Sequence, residues 1–387
     1  MQIIFDDNGL HKTLAPFTLT RPVAEIRFGI LTFKETWEAL LSQYYPDFSV
    51  AFNTADYLQV KYPKSIGNNA ETITVAGNIK PTKEIVEAIS RLEVDCALFV
   101  NDKWVATRGT APVGTPEKLQ INELVLIDKS WHIFQKNDAA IAIDFDILTA
   151  GRKSELLSDT NRTTGKENIF IEKGAQVEHA ILNASTGPIY IGANAEIMEG
   201  AVIRGPFALN ESAVVKMAAK IYGATTIGPY CKVGGEISNC VFQAYSNKGH
   251  DGFLGNSVVG EWCNFGADTN SSNLKNNYSK VKVYSYETEQ MELSNVLFCG
   301  ILMGDHSKTG INTMFNTATV VGVSSNIFGA GFPKKYIPSF SWGGVDKTDR
   351  FILEKAFEVA QNMMSRRHIE LTTADKTILT HLYMKLA

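Results

Sequence analysis

The stretch Ile191-Gly192-Ala193-Asn194-Ala195-Glu196-Ile197-Met198-Glu199-Gly200-Ala201-Val202-Ile203 decides the fold, because an aliphatic residue returns at every sixth position. The register continues through Leu209, Val215, Ile221, Ile227 and Val233 without a break. Four places after each aliphatic residue stand Ala195, Ala201, Phe207, Ala213, Ala219, Thr225 and Cys231, small in every case but one. The period resumes at Val259 and Phe265, then runs through Leu297, Met303, Thr309, Phe315, Val321 and Ile327. Six residues match neither the period of a helix nor that of an isolated strand. They are the signature of a parallel β-helix, in which each short strand is one side of a triangular coil. The aliphatic residue points inward and the small one fits the corner. Gly192, Gly200, Asn210, Gly228 and Gly234 supply the turns. Stacked coils bury one another's edges, so a chain only 44% hydrophobic can hold together.

At 387 residues the chain has room for more than one domain. Residues 1–150 lack the six-residue period and alternate strands with helices, which predicts an α/β domain with a partly parallel sheet. Gln2 to Phe5 reads as a strand ending in the turn Asp6-Asp7-Asn8-Gly9. Helices are predicted over Thr32–Leu41 and Thr82–Leu92, and strands at 50–52, 72–75, 97–100, 104–106 and 139–143. Residues 151–168 read as a polar linker, 169–340 as the β-helix and 341–387 as a helical segment. Two helices are expected in that last segment, the second opened by a capping box at Thr372 and Asp375, and together they would cover the open end of the prism.

A net charge of −4 with no basic block argues against a nucleic-acid partner. No apolar run is long enough to span a membrane, and the opening Met-Gln-Ile-Ile-Phe-Asp-Asp has no signal-peptide pattern. The five cysteines are odd in number and show no CxxC spacing. The four in the repeat region, Cys231, Cys240, Cys263 and Cys299, read as small hydrophobes in the prism, and the set as that of a protein of the reducing cytoplasm. His179, His250 and His306 are far apart in sequence, which speaks against a three-histidine zinc site.

The period fails between Val233 and Val259, where Asn247-Lys248-Gly249-His250-Asp251-Gly252-Phe253-Leu254-Gly255 displays side chains that a prism does not need. Asn264-Phe265-Gly266-Ala267 follows, then a polar insertion from Asn270 to Ser294 that is expected to reach a ligand or another subunit. Lys248-Gly249-His250, the aromatic-Leu-Gly after it, Asn-x-Gly-Ala and a later Asn resemble the acetyltransferase half of bifunctional N-acetylglucosamine-1-phosphate uridyltransferase. With Thr20-Arg21-Pro22 near the start, the whole chain looks similar to the alternate, Bacteroidetes-type form of that family.

That resemblance implies a left-handed β-helix and a transferase of two activities. One is acetyl-CoA-dependent N-acetylation of a glucosamine-1-phosphate-like amino-sugar phosphate; the other is Mg²⁺-dependent nucleotidyl transfer giving a UDP-sugar. His250 would be the general base, since imidazole accepts protons near neutral pH. Asn264, Asn273 and Phe253 would contact the acceptor, Phe253 standing where the family has a Tyr. Gly266 and Ala267 would approach the thioester, a backbone N–H there stabilising the oxyanion, and the pantetheine arm would lie outside the prism near Gly300 and Ile301. The family's phosphate-gripping Arg and Lys fall at Gly234 and Ala244, which leaves Arg204, Lys216, Lys220 and Lys248 as basic candidates. In the N-terminal domain the loop has one glycine, Gly9. Arg21 and Arg27 would clamp nucleotide phosphates, and Asp102 and Asn161 would hold the metal, with a plain hairpin turn as the other reading of Asp102. The resemblance implies a homotrimer, because a base on an outer face needs a neighbour to close its cleft. Two alternatives stand beside it: a sugar-1-phosphate thymidylyl- or uridylyltransferase with the β-helix as trimerisation scaffold, and a non-catalytic hexapeptide scaffold.

Overall fold

In the computed structural model, which describes residues 1–65, 71–109 and 113–386, the six-residue period closes into a β-helix of three faces. Ile191 pairs with Leu209 and Leu209 with Ile227 on one face, while Ile197, Val215 and Val233 pair in turn on another. Ile203 pairs with Ile221 on the remaining one. Partners lie eighteen residues apart, which is three six-residue sides per coil. All these aliphatic side chains sit in one interior column with the small corner residues Ala195, Ala201, Ala213 and Ala219. Burying each aliphatic side chain stabilises the coil by about 1.5–3 kcal/mol.

We call the face built on Ile181–Asn183, Val202–Arg204 and Lys220–Tyr222 the first. The second carries Ile189–Ile191, Phe207–Leu209 and Thr225–Ile227. The third carries Glu196–Ile197, Val214–Val215, Lys232–Val233 and Asn247–Lys248. The corner between the second and third faces places Asn194, Ser212, Tyr230, Tyr245, Trp262 and His306 at φ between 53° and 59°. That conformation is uncommon for side chains of this size. Each returns a backbone bond to the neighbouring coil, as from Tyr245 N–H to the Pro229 carbonyl at 2.9 Å.

The broken period is not a gap in the prism. Ile227 pairs with Phe242 and Val233 with Lys248, each fifteen residues on, so the coil shortens by three residues and continues. The larger departure comes later, where Val259 pairs with Met303 across forty-four residues. The insertion inside that span forms the hairpin Lys282–Ser285 with Gln290–Leu293. Its Val281, Val283 and Tyr286 are buried in the chain's own core, and Tyr284 stacks on Tyr336 at 3.5 Å between ring centroids. It folds onto the same molecule, contrary to the expectation of an outward-reaching loop.

The N-terminal unit has a six-stranded sheet in which Gln2–Asp6 lies parallel between Ser49–Asn53 and Thr72–Ala76. The helices Phe33–Leu41 and Lys83–Arg91 fall where the pattern places them, the first with the full capping box of Thr32 and Glu35. Residues 139–143, expected as a strand, lie instead in the helix Asn137–Thr149. Their apolar spacing serves a helix equally well, and it buries Ala140, Ile141 and Asp144. Ile141 packs with Ile30 against Phe170, Tyr190 and Ala208, which are outward residues of the prism's second face. The two units therefore share an apolar seam. Nor is the supposed linker a free segment, since its Arg162–Thr164 is a strand of the first face paired with Ile181–Asn183.

The C-terminal helices, Leu353–Ser365 and Thr373–Leu386, do not plug the end of the prism. The last coil's edge is met by Thr348–Arg350, antiparallel to Ser341–Gly343. The helices run along the flank. Arg367 donates to the Tyr230 carbonyl at 3.3 Å, Lys61 pairs with Asp375 at 2.8 Å, and Tyr57 stacks on His381 at 4.2 Å. All five cysteines are free and buried, and the four of the prism sit as their reading as small hydrophobes requires. No described helix is long and apolar enough to cross a membrane.

Candidate active site

His250 stands exposed at the corner between the third and first faces, on the loop that ends the shortened coil. The inward column is itself irregular two residues earlier. Lys248 takes the inward slot beside Val233, where an aliphatic residue is the rule, and is only 1% exposed. Its ammonium finds the carbonyls of His250 at 2.9 Å and Asp251 at 3.3 Å, so the buried cation holds the loop that presents the imidazole. Burial pushes the Lys248 pKa down to about 8, with Asp251 offsetting part of that.

Asn247 bridges Asn264 on the next coil, and the Asp268 N–H bonds the Asp251 carbonyl at 3.1 Å. This register sets Gly266 and Ala267 on the corner beside His250. The Gly266 N–H is taken by Thr309, through its carbonyl at 3.1 Å and its hydroxyl at 3.0 Å, so an oxyanion contact at this corner falls to Ala267. On the first face, the Phe253 ring and the Asn273 amide converge over Gly255: a Cβ there would meet them at 2.6 Å and 2.7 Å. Asn273 is held by a bond to Asn256 at 2.8 Å, and the Asn264 oxygen accepts from Asn247 at 2.9 Å. His250, Ala267, Phe253, Asn273 and Asn264 thus gather about one edge of the prism.

Several expected site residues do not join them. Lys248 points inward and cannot touch a substrate in the expected way. Arg204 is exposed, but it lies three ladder steps from Gly255 on the first face, roughly 14 Å at the usual strand spacing. Gly300 and Ile301 are buried inside, the Gly300 N–H bonded to the Asn256 carbonyl and Ile301 in the interior column. The outward neighbour Leu302 is covered by the core that the N-terminal segment shares, so no pantetheine arm can run there.

Arg21 and Arg27 are likewise engaged elsewhere. Arg21 is buried between two carboxylates of the β-helix, Glu261 at 2.6 Å and Asp305, and Thr20 also donates to Asp305 at 2.6 Å. Burial lowers the Arg21 pKa, but Asp305 and Glu261 outweigh it, and the guanidinium stays charged. Arg27 binds the Gln243 carbonyl at 3.0 Å, while Gln243 returns a bond to the Arg27 carbonyl at 3.1 Å. The Thr20-Arg21-Pro22 motif docks one unit on the other rather than clamping phosphate. Asp102 sits in an exposed hairpin turn 3.4 Å from Lys118, and both ends of the Asn161 amide are spent on the Val177 carbonyl and the Ala180 N–H. Among the described residues no group of three or more His, Cys, Asp or Glu side chains is placed to hold a metal ion. Gly9 has open space around it at φ +72° in the turn after the first strand.

That turn occupies a position of interest on topological grounds. The first strand has parallel neighbours on both sides, and open α/β sheets bind ligands at the carboxyl ends where strand order reverses. There Asp6 accepts from the Asn8 N–H at 2.6 Å and from Asn53, and Asn8 reaches Asn78 at 3.3 Å. Asn53 and Asn78 carry no sequence motif; only the parallel pairing brings them to the loop.

Comparison with known proteins agrees with the two-unit architecture. Residues 2–153 match the sugar nucleotidyl transferase family. The acetyltransferase YaiX of Escherichia coli O6:K15:H31 is 28% identical over 171 residues, 43% of this chain and 74% of that protein. A bifunctional sugar-1-phosphate nucleotidylyltransferase/acetyltransferase of Sulfurisphaera tokodaii is 24% identical over 282 residues, 70% of this chain and 66% of that one. The bifunctional protein GlmU of Methanocaldococcus jannaschii is 32% identical over 87 residues, covering only 21% of its length. Among solved structures, an Arabidopsis UDP-N-acetylglucosamine acyltransferase superposes with a TM-score of 0.34 at 12% identity, over 55% of this chain and 80% of its own. The chain is a transferase. Its N-terminal part is of the sugar nucleotidyl transferase type, and its β-helix is akin to acetyltransferases.

Proposed function

We propose that the β-helix transfers an acetyl group from acetyl-CoA to the amine of a glucosamine-1-phosphate-like sugar, with His250 as the general base. The observation that carries this reading is the shortened coil, which spends a buried lysine to present one exposed histidine beside Ala267. As the amine attacks the acetyl carbon, a C–N bond forms, the C–S bond breaks, and His250 takes the nitrogen's proton. The Ala267 N–H meets the charge that develops on the acetyl oxygen. Phe253 and Asn273 pack against the sugar from the first face.

The N-terminal unit, on this proposal, carries out nucleotidyl transfer to give a UDP-sugar, as in the alternate bifunctional form, with the nucleotide at the strand ends near Asp6 and Gly9. Magnesium does not fit Asp102 and Asn161, one exposed beside Lys118 and the other spent on backbone, so no step is routed through it. A homotrimer in the cytoplasm completes the reading, a neighbour closing the open side of His250.

The test is release of free thiol from acetyl-CoA in the presence of glucosamine-1-phosphate. His250→Ala should lower turnover by two orders of magnitude or more, the usual loss with a general base, while its circular dichroism stays that of the parent. Turnover untouched by the substitution would remove His250 from the chemistry.

A further inference from the structure

A chain of side-chain amides reaches the site from the N-terminal unit. In the regular coils the corner between the first and second faces is turned by Gly205-Pro206 and Gly223-Ala224. In the next two coils a single asparagine makes that corner, Asn239 at φ 53° and Asn256 at φ 48°. The register sets Asn239 opposite Asn256, and Asn273 takes the same place on the coil after. Asparagine tolerates a left-handed corner better than most residues, but glycine would serve the turn as well. Asn273 is not left-handed at all, so no turn accounts for it.

The three amides are joined in one direction. The Asn273 nitrogen donates to the Asn256 oxygen at 2.8 Å. The Asn256 nitrogen donates to the Asn239 oxygen at 3.0 Å, and the Asn239 nitrogen to the carbonyls of Phe134 at 2.7 Å and Ala224 at 3.2 Å. Phe134 lies in the short helix His132–Gln135 of the N-terminal unit. An amide's orientation follows from its partners, and the last partners here are backbone carbonyls, which can only accept. Turning Asn239 over would set its oxygen against both carbonyls and its nitrogen against the Asn256 nitrogen. At the other end the Asn273 nitrogen packs over Gly255, where an added Cβ would meet it at 2.7 Å. Among the described residues no donor is bonded to the Asn273 oxygen.

We infer that Asn239 and Asn256 are positioning residues that hold Asn273 with its oxygen toward the acceptor, so that the site selects a sugar by a hydroxyl that donates. An amide free to turn would take a donor or a bare acceptor equally; one held this way takes a donor. Because the direction of the chain is set at the Phe134 carbonyl, the N-terminal unit fixes a contact in the acetyl-transfer site. This assignment rests on the acetyl-transfer reading for the identity of the sugar.

The measurement is calorimetric titration of the full chain with glucosamine-1-phosphate and with analogues in which fluorine, which cannot donate, replaces one ring hydroxyl at a time. The parent should bind one analogue about tenfold more weakly than glucosamine-1-phosphate, as expected for one lost hydrogen bond. Asn239→Gly and Asn256→Gly keep the corner, since glycine adopts its φ without strain, but break the chain of amides. Each should reduce that preference to about threefold or less, because Asn273 can then turn to suit the analogue. An aspartate in place of Asn256 offers only acceptors, so Asn273 must still donate to it whatever stands opposite. The double variant Asn239→Gly/Asn256→Asp should therefore recover the preference, which it would not if the loss in Asn239→Gly were merely structural. No binding of glucosamine-1-phosphate, no analogue weakened in the parent, a preference kept by either glycine variant, or none recovered by the double variant would each overturn the assignment. The two readings fail separately. If His250→Ala keeps full thiol release while the preference follows the amides, the base is wrong and the positioning stands. If His250→Ala abolishes release while the glycine variants keep the preference, the positioning is wrong and the base stands.

Discussion

Two stretches of the same prism behave differently. From Ile191 to Val233 the coils repeat at eighteen residues, every inward slot is aliphatic, and the outward residues carry no cluster of chemistry. In the next coil the repeat drops to fifteen, and a lysine enters the column at Val233's neighbour. The contrast teaches where a solenoid can host a reaction. A regular coil satisfies its own backbone and side chains and has nothing left to present. The residues are lost between Val233, Ile237 and Phe242, whereas Lys248 to Leu254 keeps the six-residue side; on that side Lys248 turns its ammonium back to the His250 and Asp251 carbonyls, and His250 faces outward.

The largest effect expected from testing that contrast concerns the seam holding the irregular coils to the N-terminal unit. Arg21→Met would leave Asp305, which is 3% exposed, without its charge partner. Breaking a buried pair from one side costs about 3–5 kcal/mol. Urea unfolding should move by that amount, and nucleotidyl transfer, assayed in native buffer on protein confirmed folded, should persist. Loss of nucleotide affinity without loss of stability would restore Arg21 as a phosphate clamp. Next in size, Ile203→Ala empties a slot in a regular coil and should cost about 2–5 kcal/mol. Acetyl transfer should be unchanged, because nothing on that coil faces the site. A kinetic defect in this variant would break the distinction between scaffold coils and working coils.

The regular part was legible because its information is local and periodic: each side of a coil is six residues, and each residue's environment repeats. The corner of His250, Ala267, Phe253 and Asn273 could be read from a family resemblance that lies within the shortened coils and the loop after them. What escaped depends on partners at irregular spacing. Tyr230, Tyr245, Trp262 and His306 form one stacked ladder, yet the separations between them change from coil to coil, so no period links them. Lys308 and Arg366 line one cleft only because the C-terminal helix runs along the flank. Arg21 and Arg27 were misread for a related reason. An arginine beside a Thr-x-Pro motif has the same sequence whether it faces a phosphate or two carboxylates from another unit, and the choice is made by Glu261 and Asp305, more than two hundred residues away.

The smallest change in stability, and the sharpest test, belongs to Lys248. In Lys248→Met an apolar chain of similar length fills an apolar slot, which relieves the burial of a charge but leaves the His250 carbonyl without its donor and the Asp251 carbonyl with the Asp268 N–H alone. The two effects oppose, so the unfolding midpoint should shift little near pH 7, while turnover falls about tenfold as the loop loses its anchor. The pH dependence separates the terms. The folded pKa of Lys248 lies near 8, below the ordinary 10.5 of an unfolded lysine. Between those values the unfolded chain binds the proton that the folded chain has released, so stability attributable to this residue rises with pH there. Below about pH 8 both states are charged, and the full burial penalty applies. Urea titrations of parent and variant at pH 7 and pH 9.5 should therefore show the parent gaining on Lys248→Met by on the order of 1–2 kcal/mol, at most about 1.4 per pH unit. Taking the difference cancels the opposing contribution of the buried thiols Cys231, Cys240, Cys263 and Cys299, whose pKa values are pushed up to about 12 by burial. A parent that gains nothing would mean that Lys248 keeps its proton at pH 9.5, the His250 and Asp251 carbonyls outweighing the apolar column around it.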